Sequence, residues 1–247
     1  MRKSVLFISI VLVEMSFAWN IRSSVAARQS AIAYEGEEPE IPYVTDGLVA
    51  MYDGIWNNGI MRHSDNIKRW KNLVGDTDGV LNGMFITDSS VRSTYSGYVQ
   101  IPNVDLMTGN EFTYEIVVRM HGYESLDHRI FWCDGTSRPY VNLSSGGIFQ
   151  AMTKGGSDAI KNYIGEDRFY PHCFSFSIGG SASLYADGIH VRTVSYSSDK
   201  ARSISMPRYG DASSLDIEIW CIRIYNKVLS QEEVEFNHVI DVERFGL

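Results

Sequence analysis

The sequence predicts an all-β fold, an antiparallel two-sheet sandwich finished by one short C-terminal helix, and three observations carry that expectation. Ten short apolar or alternating runs follow one another between residues 48 and 225. Seven turn-forming pairs punctuate them: Asp53-Gly54, Asp78-Gly79, Asn82-Gly83, Asp134-Gly135, Gly146-Gly147, Gly179-Gly180 and Asp187-Gly188. A single helix-start signature stands near the end, at Ser230-Gln231-Glu232-Glu233. Many short strands separated by such turns argue for a sandwich or barrel and against a βαβ sheet.

Taken in order, Leu48–Tyr52 is a short apolar run suited to a buried strand, and Tyr98–Ile101 is ended by Pro102. Phe112–Met120 alternates. Phe112, Tyr114, Ile116 and Val118 fall on one face, and Thr113, Glu115, Val117 and Arg119 on the other. Further strands are expected at Arg129–Cys133, Tyr140–Leu143, Gly147–Met152, Cys173–Ile178, Ser183–Tyr185, Ile189–Val194 and Ile217–Tyr225. Asp187-Gly188 joins two of these runs as a tight hairpin turn, because both residues tolerate positive φ; Asp187 is therefore read as turn chemistry. In the helix, Ser230 caps the Glu233 amide while Glu233 reaches back. Val234, Phe236, Val239, Ile240 and Val242 supply the expected packing stripe over Glu232–Arg244, and Gly246 is the stop.

The chain has 247 residues, 44% hydrophobic and 12% aromatic, enough for the core of one large all-β domain plus a leader. The formal net charge is -8 and no Lys/Arg cluster forms a patch, which argues against nucleic acid as a partner. Cys133, Cys173 and Cys221 fit no zinc spacing and lie in apolar runs, so they read as buried small hydrophobes. A Cys173–Cys221 disulfide would require those two strands to pair. Residues 1–28 form a signal-like segment or a docking arm. Arg2 and Lys3 precede the apolar run Ser4–Val13, with small residues at Ala18 and Ala27 for cleavage, while Glu14, Arg22 and Arg28 suit an uncleaved arm. The run is too short for a transmembrane span. Residues 29–42, rich in Glu with Pro39 and Pro42, form a linker, and residues 43–247 form the domain.

Three segments carry a family resemblance. Gly47-Leu48-Val49-Ala50-Met51-Tyr52-Asp53-Gly54 is followed by Trp70-Lys71-Asn72-Leu73-Val74-Gly75 and Asp78-Gly79-Val80-Leu81-Asn82-Gly83. Leu184-Tyr185-Ala186-Asp187-Gly188 forms the second. Ile222-Arg223-Ile224-Tyr225-Asn226-Lys227-Val228-Leu229-Ser230-Gln231-Glu232-Glu233 forms the third. In this order they resemble the laminin G-like jelly roll of the concanavalin A-like lectin/glucanase superfamily. The resemblance implies a jelly-roll sandwich that is mostly non-catalytic and binds glycans, proteins or cell surfaces, in some members with a calcium ion. Two departures argue against calcium: Gly97 precedes Tyr98-Val99, and Trp220-Cys221 precede the closing strand, where relatives carry acids. No cofactor is expected.

The candidate ligand residues are read from composition. The stretch from Asp53 to Trp70 gathers Asp53, Trp56, Asn57, Asn58, His63 and Asp65 among glycines, a mixture that suits a sugar's apolar face and hydroxyls; it equally suits a loop folded on its own side chains. A second polar group holds Tyr163, Asp167, Arg168, Tyr170 and His172. Asn142-Leu143-Ser144 is a glycosylation sequon. The superfamily's glucan-cleaving enzymes place carboxyl groups on one strand face as Glu-x-Asp-x-(x)-Glu. Asp216 and Glu218 share a face here, but Ser214 stands where the first Glu would be, so both are read as a solvated strand face. No catalytic residue is assigned. The expected function is a non-catalytic carbohydrate- or surface-binding module, secreted or at the cell surface, with a glycan or cell-surface ligand as partner. The alternative is a structural or adhesive component of a larger particle, such as a virion decoration protein bound to other subunits. A glycan hydrolase is the third reading.

Overall fold

Alternation along the chain builds two layers of antiparallel strands. The computed structural model describes residues 40–56, 68–102, 111–123, 128–134, 140–143, 148–152, 160–163, 170–195, 203–206 and 215–247, with backbone alone for 94–96, 123, 128–163, 203–206 and 215. The signal-like segment 1–28 and most of the linker 29–42 lie outside the described residues. The strands are β1 (Leu48–Asp53), β2 (Arg69–Trp70), β3 (Gly79–Ile86), β4 (Val91–Ile101), β5 (Phe112–Tyr123), β6 (His128–Asp134) and β7 (Tyr140–Leu143). They continue as β8 (Ile148–Met152), β9 (Ile160–Tyr163), β10 (His172–Ile178), β11 (Ser181–Ala186), β12 (Ile189–Ser195), β13 (Ser203–Met206) and β14 (Leu215–Tyr225), followed by helix α1 (Gln231–Phe245).

The hydrogen-bonded path runs β12-β11-β10-β5-β14-β4-β13-β6-β7-β8-β9, with β1 on β14 and β2-β3 on β4. Strand β4 carries this path from one layer to the other. Its first part, Val91–Ser93, pairs with Ile217–Ile219 of β14, and its last part, Val99–Ile101, pairs with β13. Between them residues 94–97 are opposed by Gly83 alone, because Asn82 pairs with Tyr98 and Met84 with Ser93. Such a bulge is how a strand bends from one sheet of a sandwich into the other. Ser93 closes it: its hydroxyl donates to the Gly97 carbonyl at 2.9 Å and accepts the Gly97 amide at 2.8 Å. Asn82-Gly83 is therefore a bulge inside β3, with Gly83 at φ 63, where the sequence suggested a turn. The far ends of the path return to each other, with β9 lying against β12.

The core is the inner faces of these layers. Phe112, Tyr114, Ile116, Val118 and Met120 of β5 meet Phe174, Phe176 and Ile178 of β10, Leu184 of β11 and Ile217, Ile219, Ile222 and Ile224 of β14. Leu81, Met84, Val91, Val99, Ile101 and Trp70 complete the same cluster. Strand β14 stays in register with β5 only by a shift between Ile219 and Cys221 that leaves Trp220 unpaired on the β5 side. The Asp187-Gly188 turn forms as expected, with φ 50 and 76. Four strands escaped the sequence reading: β2, β3, β9 and β13.

Cys173 and Cys221 do not bond. Each pairs with Val117, from opposite sides of β5, so their strands are two spacings apart, about 10 Å, beyond disulfide reach.

Candidate functional site

The outer face of the β10-β5-β14-β1 layer is polar, and α1 covers one half of it. The helix begins as the sequence predicts: Ser230 accepts the Glu233 amide at 3.2 Å, and the Glu233 carboxylate accepts the Ser230 amide at 2.8 Å. Its packing face does not. Val234, Asn237 and Asp241 turn inward, while Phe236 and Val239 are 52% and 56% exposed and Val242 is also exposed. Of the apolar stripe expected from periodicity, Val234 packs inward and Ile240 is half-buried, while Phe236, Val239 and Val242 point outward. The reason is the surface beneath: β5, β10 and β14 present Glu115, Ser175 and Arg223 there, which demand charged and amide partners.

Those partners are complete. Arg223 donates to Glu115 through Nε at 2.8 Å and forks onto Asp241 at 2.7 and 2.6 Å. Glu115 also accepts from Ser175 Oγ at 2.7 Å and from Asn237 Nδ2 at 2.8 Å. Tyr43 donates its hydroxyl to Asp241 at 2.9 Å and lies with its ring 4.1 Å from the Arg223 guanidinium carbon. Burial opposes the charge on Arg223, but Asp241 and Glu115 outweigh it and hold its pKa above the ordinary arginine range. Burial raises the Tyr43 hydroxyl and both the Cys173 and Cys221 thiols, and Asp241 adds to the rise in all three. At the helix end, Arg244 donates to Asp53 at 2.7 Å and to the Tyr43 hydroxyl at 2.8 Å, and stacks 3.8 Å above the Trp56 ring. These contacts form a clasp that fastens the helix to the sheet.

Two of the residues read as ligand groups belong to that clasp. Asp53 is fully buried, with one oxygen accepting the Trp56 amide at 2.9 Å and the other taken by Arg244, so both its oxygens are engaged within the fold. Trp56 is half-buried against Arg244. Asn57, Asn58, His63 and Asp65 lie outside the described residues, as do Asp167 and Arg168, and Tyr163 is described only as backbone in β9. Tyr170 is 65% exposed, just ahead of β10. His172 hydrogen-bonds Asp187 Oδ2 at 2.7 Å, and Asp187 Oδ1 accepts the Cys173 amide at 2.9 Å, so this pair secures the hairpin turn.

The other half of the outer face lies beyond the helix, and its side chains range from Asp216 at 8% exposed to Phe85 at 46%. A single row crosses four strands: Phe85 of β3 pairs with Arg92 of β4, Arg92 with Glu218 of β14, and Glu218 with Arg119 of β5. Three strand spacings make the row about 14 Å wide. The Phe85 ring is 46% exposed at one edge. Arg92 donates to Asp216 from Nε at 3.1 Å and from Nη2 at 2.9 Å. Glu218 accepts from Ser90 Oγ at 2.6 Å and from His121 Nε2 at 2.8 Å. Asp216 and Glu218 are thus paired and largely shielded, not the solvated face expected of them. The sequence signal for this row was their shared strand face; what it lacked was the neighbouring strands. Among the described residues, no three His, Cys, Asp or Glu side chains converge as metal ligands, and no helix is long and apolar enough to cross a membrane.

A family model described as the concanavalin A-like lectin/glucanases superfamily, laminin G type, matches residues 93–235, more than half of the chain. The chain belongs to that superfamily. Its layered strands are also similar to solved structures. One is the Trypanosoma rangeli sialidase, at 12% identity and TM-score 0.62 over 90% of this chain and 38% of the sialidase. Another is the binding domain of botulinum neurotoxin serotype D/C VPI 5993, at 10% identity and TM-score 0.59 over 78% of this chain and 52% of that one. A third is botulinum neurotoxin type C, described as dependent on interaction with two ganglioside molecules to get into cells, at 10% identity and TM-score 0.59 over 78% and 51%. This superfamily member spans about two-fifths to one-half of those chains, and the likeness is one of fold. No curated protein matches its sequence.

Proposed function

We propose that this superfamily member is an exported, non-catalytic carbohydrate-binding module whose ligand lies on the half of the outer face beyond the helix. The observation that carries the reading is the Phe85–Arg92–Glu218 row, with Asp216 and His121 beside it. It combines one exposed aromatic ring with polar groups held in place by neighbouring strands. A pyranose needs that combination, because its C–H face stacks on an aromatic ring and its hydroxyls pair with fixed donors and acceptors. Superfamily membership supports it, as does the ganglioside interaction described for the botulinum neurotoxin type C neighbour. A non-catalytic role fits the engagement of both carboxylates: Asp216 has both oxygens on Arg92, and Glu218 has one each on Ser90 and His121.

Affinity electrophoresis and a glycan array with the full chain test this reading. Retardation or binding by at least one glycan, weakened in Phe85→Ala, is the expected result. Absence of binding to every glycan removes the reading. Reducing-sugar release that disappears in both Asp216→Asn and Glu218→Gln would replace the binding module by a hydrolase. Export predicts a mature N-terminus downstream of residue 1, near Ala18 or Ala27, by mass spectrometry of the native protein; an intact residue 1 or 2 opposes it.

A further inference from the structure

We infer that this outer-face patch takes an uncharged glycan and discriminates against sialylated, sulfated or uronic-acid-bearing chains. The inference rests on the glycan-binding reading and names the ligand class of the same patch.

Charge balance and existing pairing both disfavour an anionic ligand here. Among the described residues the patch holds two arginines, Arg92 and Arg119, and two carboxylates, Asp216 and Glu218, on one face of adjacent strands. The sum is zero with His121 neutral, so the patch offers no net attraction for an anion. Nor are its cations idle. The Arg92 fork is already on Asp216 through Nε and Nη2, and Arg119 is also engaged. A ligand carboxylate or sulfate would have to displace Asp216 from Arg92 and then sit beside two like charges, each within a strand spacing or two. The chain as a whole, at -8, repels anions on approach as well.

A hydroxylated, uncharged ligand meets none of these penalties. Hydroxyls donate to carboxylate lone pairs that remain and to His121 Nδ1, which is left as an acceptor when the neutral ring gives its Nε2–H to Glu218 and makes no hydrogen bond among the described residues. The exposed Phe85 ring at the edge of the row supplies a stacking surface that needs no charge. Paired side chains on adjacent strands also hold their geometry before the ligand arrives, which reduces the ordering cost of binding.

The test uses the full chain with matched oligosaccharides that differ only in terminal sialic acid or in sulfate, read by surface plasmon resonance near neutral pH. The neutral member of each pair is expected to bind at least about tenfold more tightly than its charged counterpart, with Kd changing less than about twofold between about 0.05 and 0.5 M NaCl. Phe85→Ala is expected to weaken neutral binding about tenfold while the far-UV spectrum and melting temperature stay near wild type. Glu218→Gln leaves the patch one positive charge in excess, and the preference for neutral over charged members is expected to narrow. Preference for the sialylated or sulfated member, or binding that salt abolishes, overturns the inference and leaves the glycan-binding reading standing. Neutral binding untouched by Phe85→Ala places the ligand elsewhere and overturns it as well. Absence of binding to all members removes both.

Discussion

Arg223 shows how much a single charged side chain can organise. It reaches Glu115 from the closing strand and Asp241 from the helix, with every contact excluded from water. Removing one member of a buried ionic group leaves the others unpaired, which costs more than the group contributes when whole. Arg223→Ala is therefore expected to lower stability by about 3–5 kcal/mol in urea denaturation, whereas replacement of the exposed Arg192 by Ala should change it by less than about 0.5 kcal/mol. A second residue-scale prediction concerns Gly97. A Cβ there would lie 2.5 Å from the Gly83 carbonyl oxygen, so the bulge of β4 admits no side chain. Gly97→Ala is expected to cost about 1–3 kcal/mol, seen as a lower midpoint with an unchanged m-value. The sequence alone read Gly97 as a departure from an acidic pattern; its steric role appears only when β3 lies beside it.

At the scale of elements, helix α1 begins by local rules and packs by non-local ones. Its start was legible because a capping box is written within four residues and needs no tertiary partner. Ser230→Ala should destabilise the protein by about 1 kcal/mol in the same denaturation assay, since the Glu233 amide loses its acceptor. Which side faces the sheet was not legible. Hydrophobic periodicity favoured Val234, Phe236, Val239, Ile240 and Val242, yet of these only Val234 is buried, and the helix turns Asn237 and Asp241 inward because Glu115 and Arg223 wait beneath them. The same division explains the strands. Long alternating β5 was evident, but β2 and β13 are short and rest on the neighbours they pair with.

For the whole molecule, several buried groups are neutral only while protonated. Burial raises the thiols of Cys173 and Cys221 and the hydroxyls of Tyr43, Tyr52 and Tyr225 above their ordinary values near 9 and 10. A raised folded pKa stabilises fully below the unfolded value and loses that stabilisation as pH climbs toward the folded one, because the unfolded chain ionises first. Stability is thus expected to hold level from about pH 7 to 8.5 and to fall steadily above about pH 9, measured by urea midpoints across that range. The same burial predicts that Cys173 and Cys221 resist iodoacetamide at neutral pH in the native protein and react on unfolding, resolved by peptide mass spectrometry.

The class of fold, most strand positions, the Asp187-Gly188 hairpin and the capped start of the helix are legible in the amino-acid sequence. Each of these is set by alternation, by a dihedral preference or by hydrogen bonds between residues a few positions apart. What lies beside what emerges only when the strands assemble. Asp53, read as a ligand group, proved to be the anchor of Arg244, which stands 191 residues away. Cys173 and Cys221 proved to be separated by β5. The row from Phe85 to Arg119 draws one residue from each of four strands scattered along the chain. Strand order and register set those neighbours, and they follow from the burial of the whole core and not from any one segment.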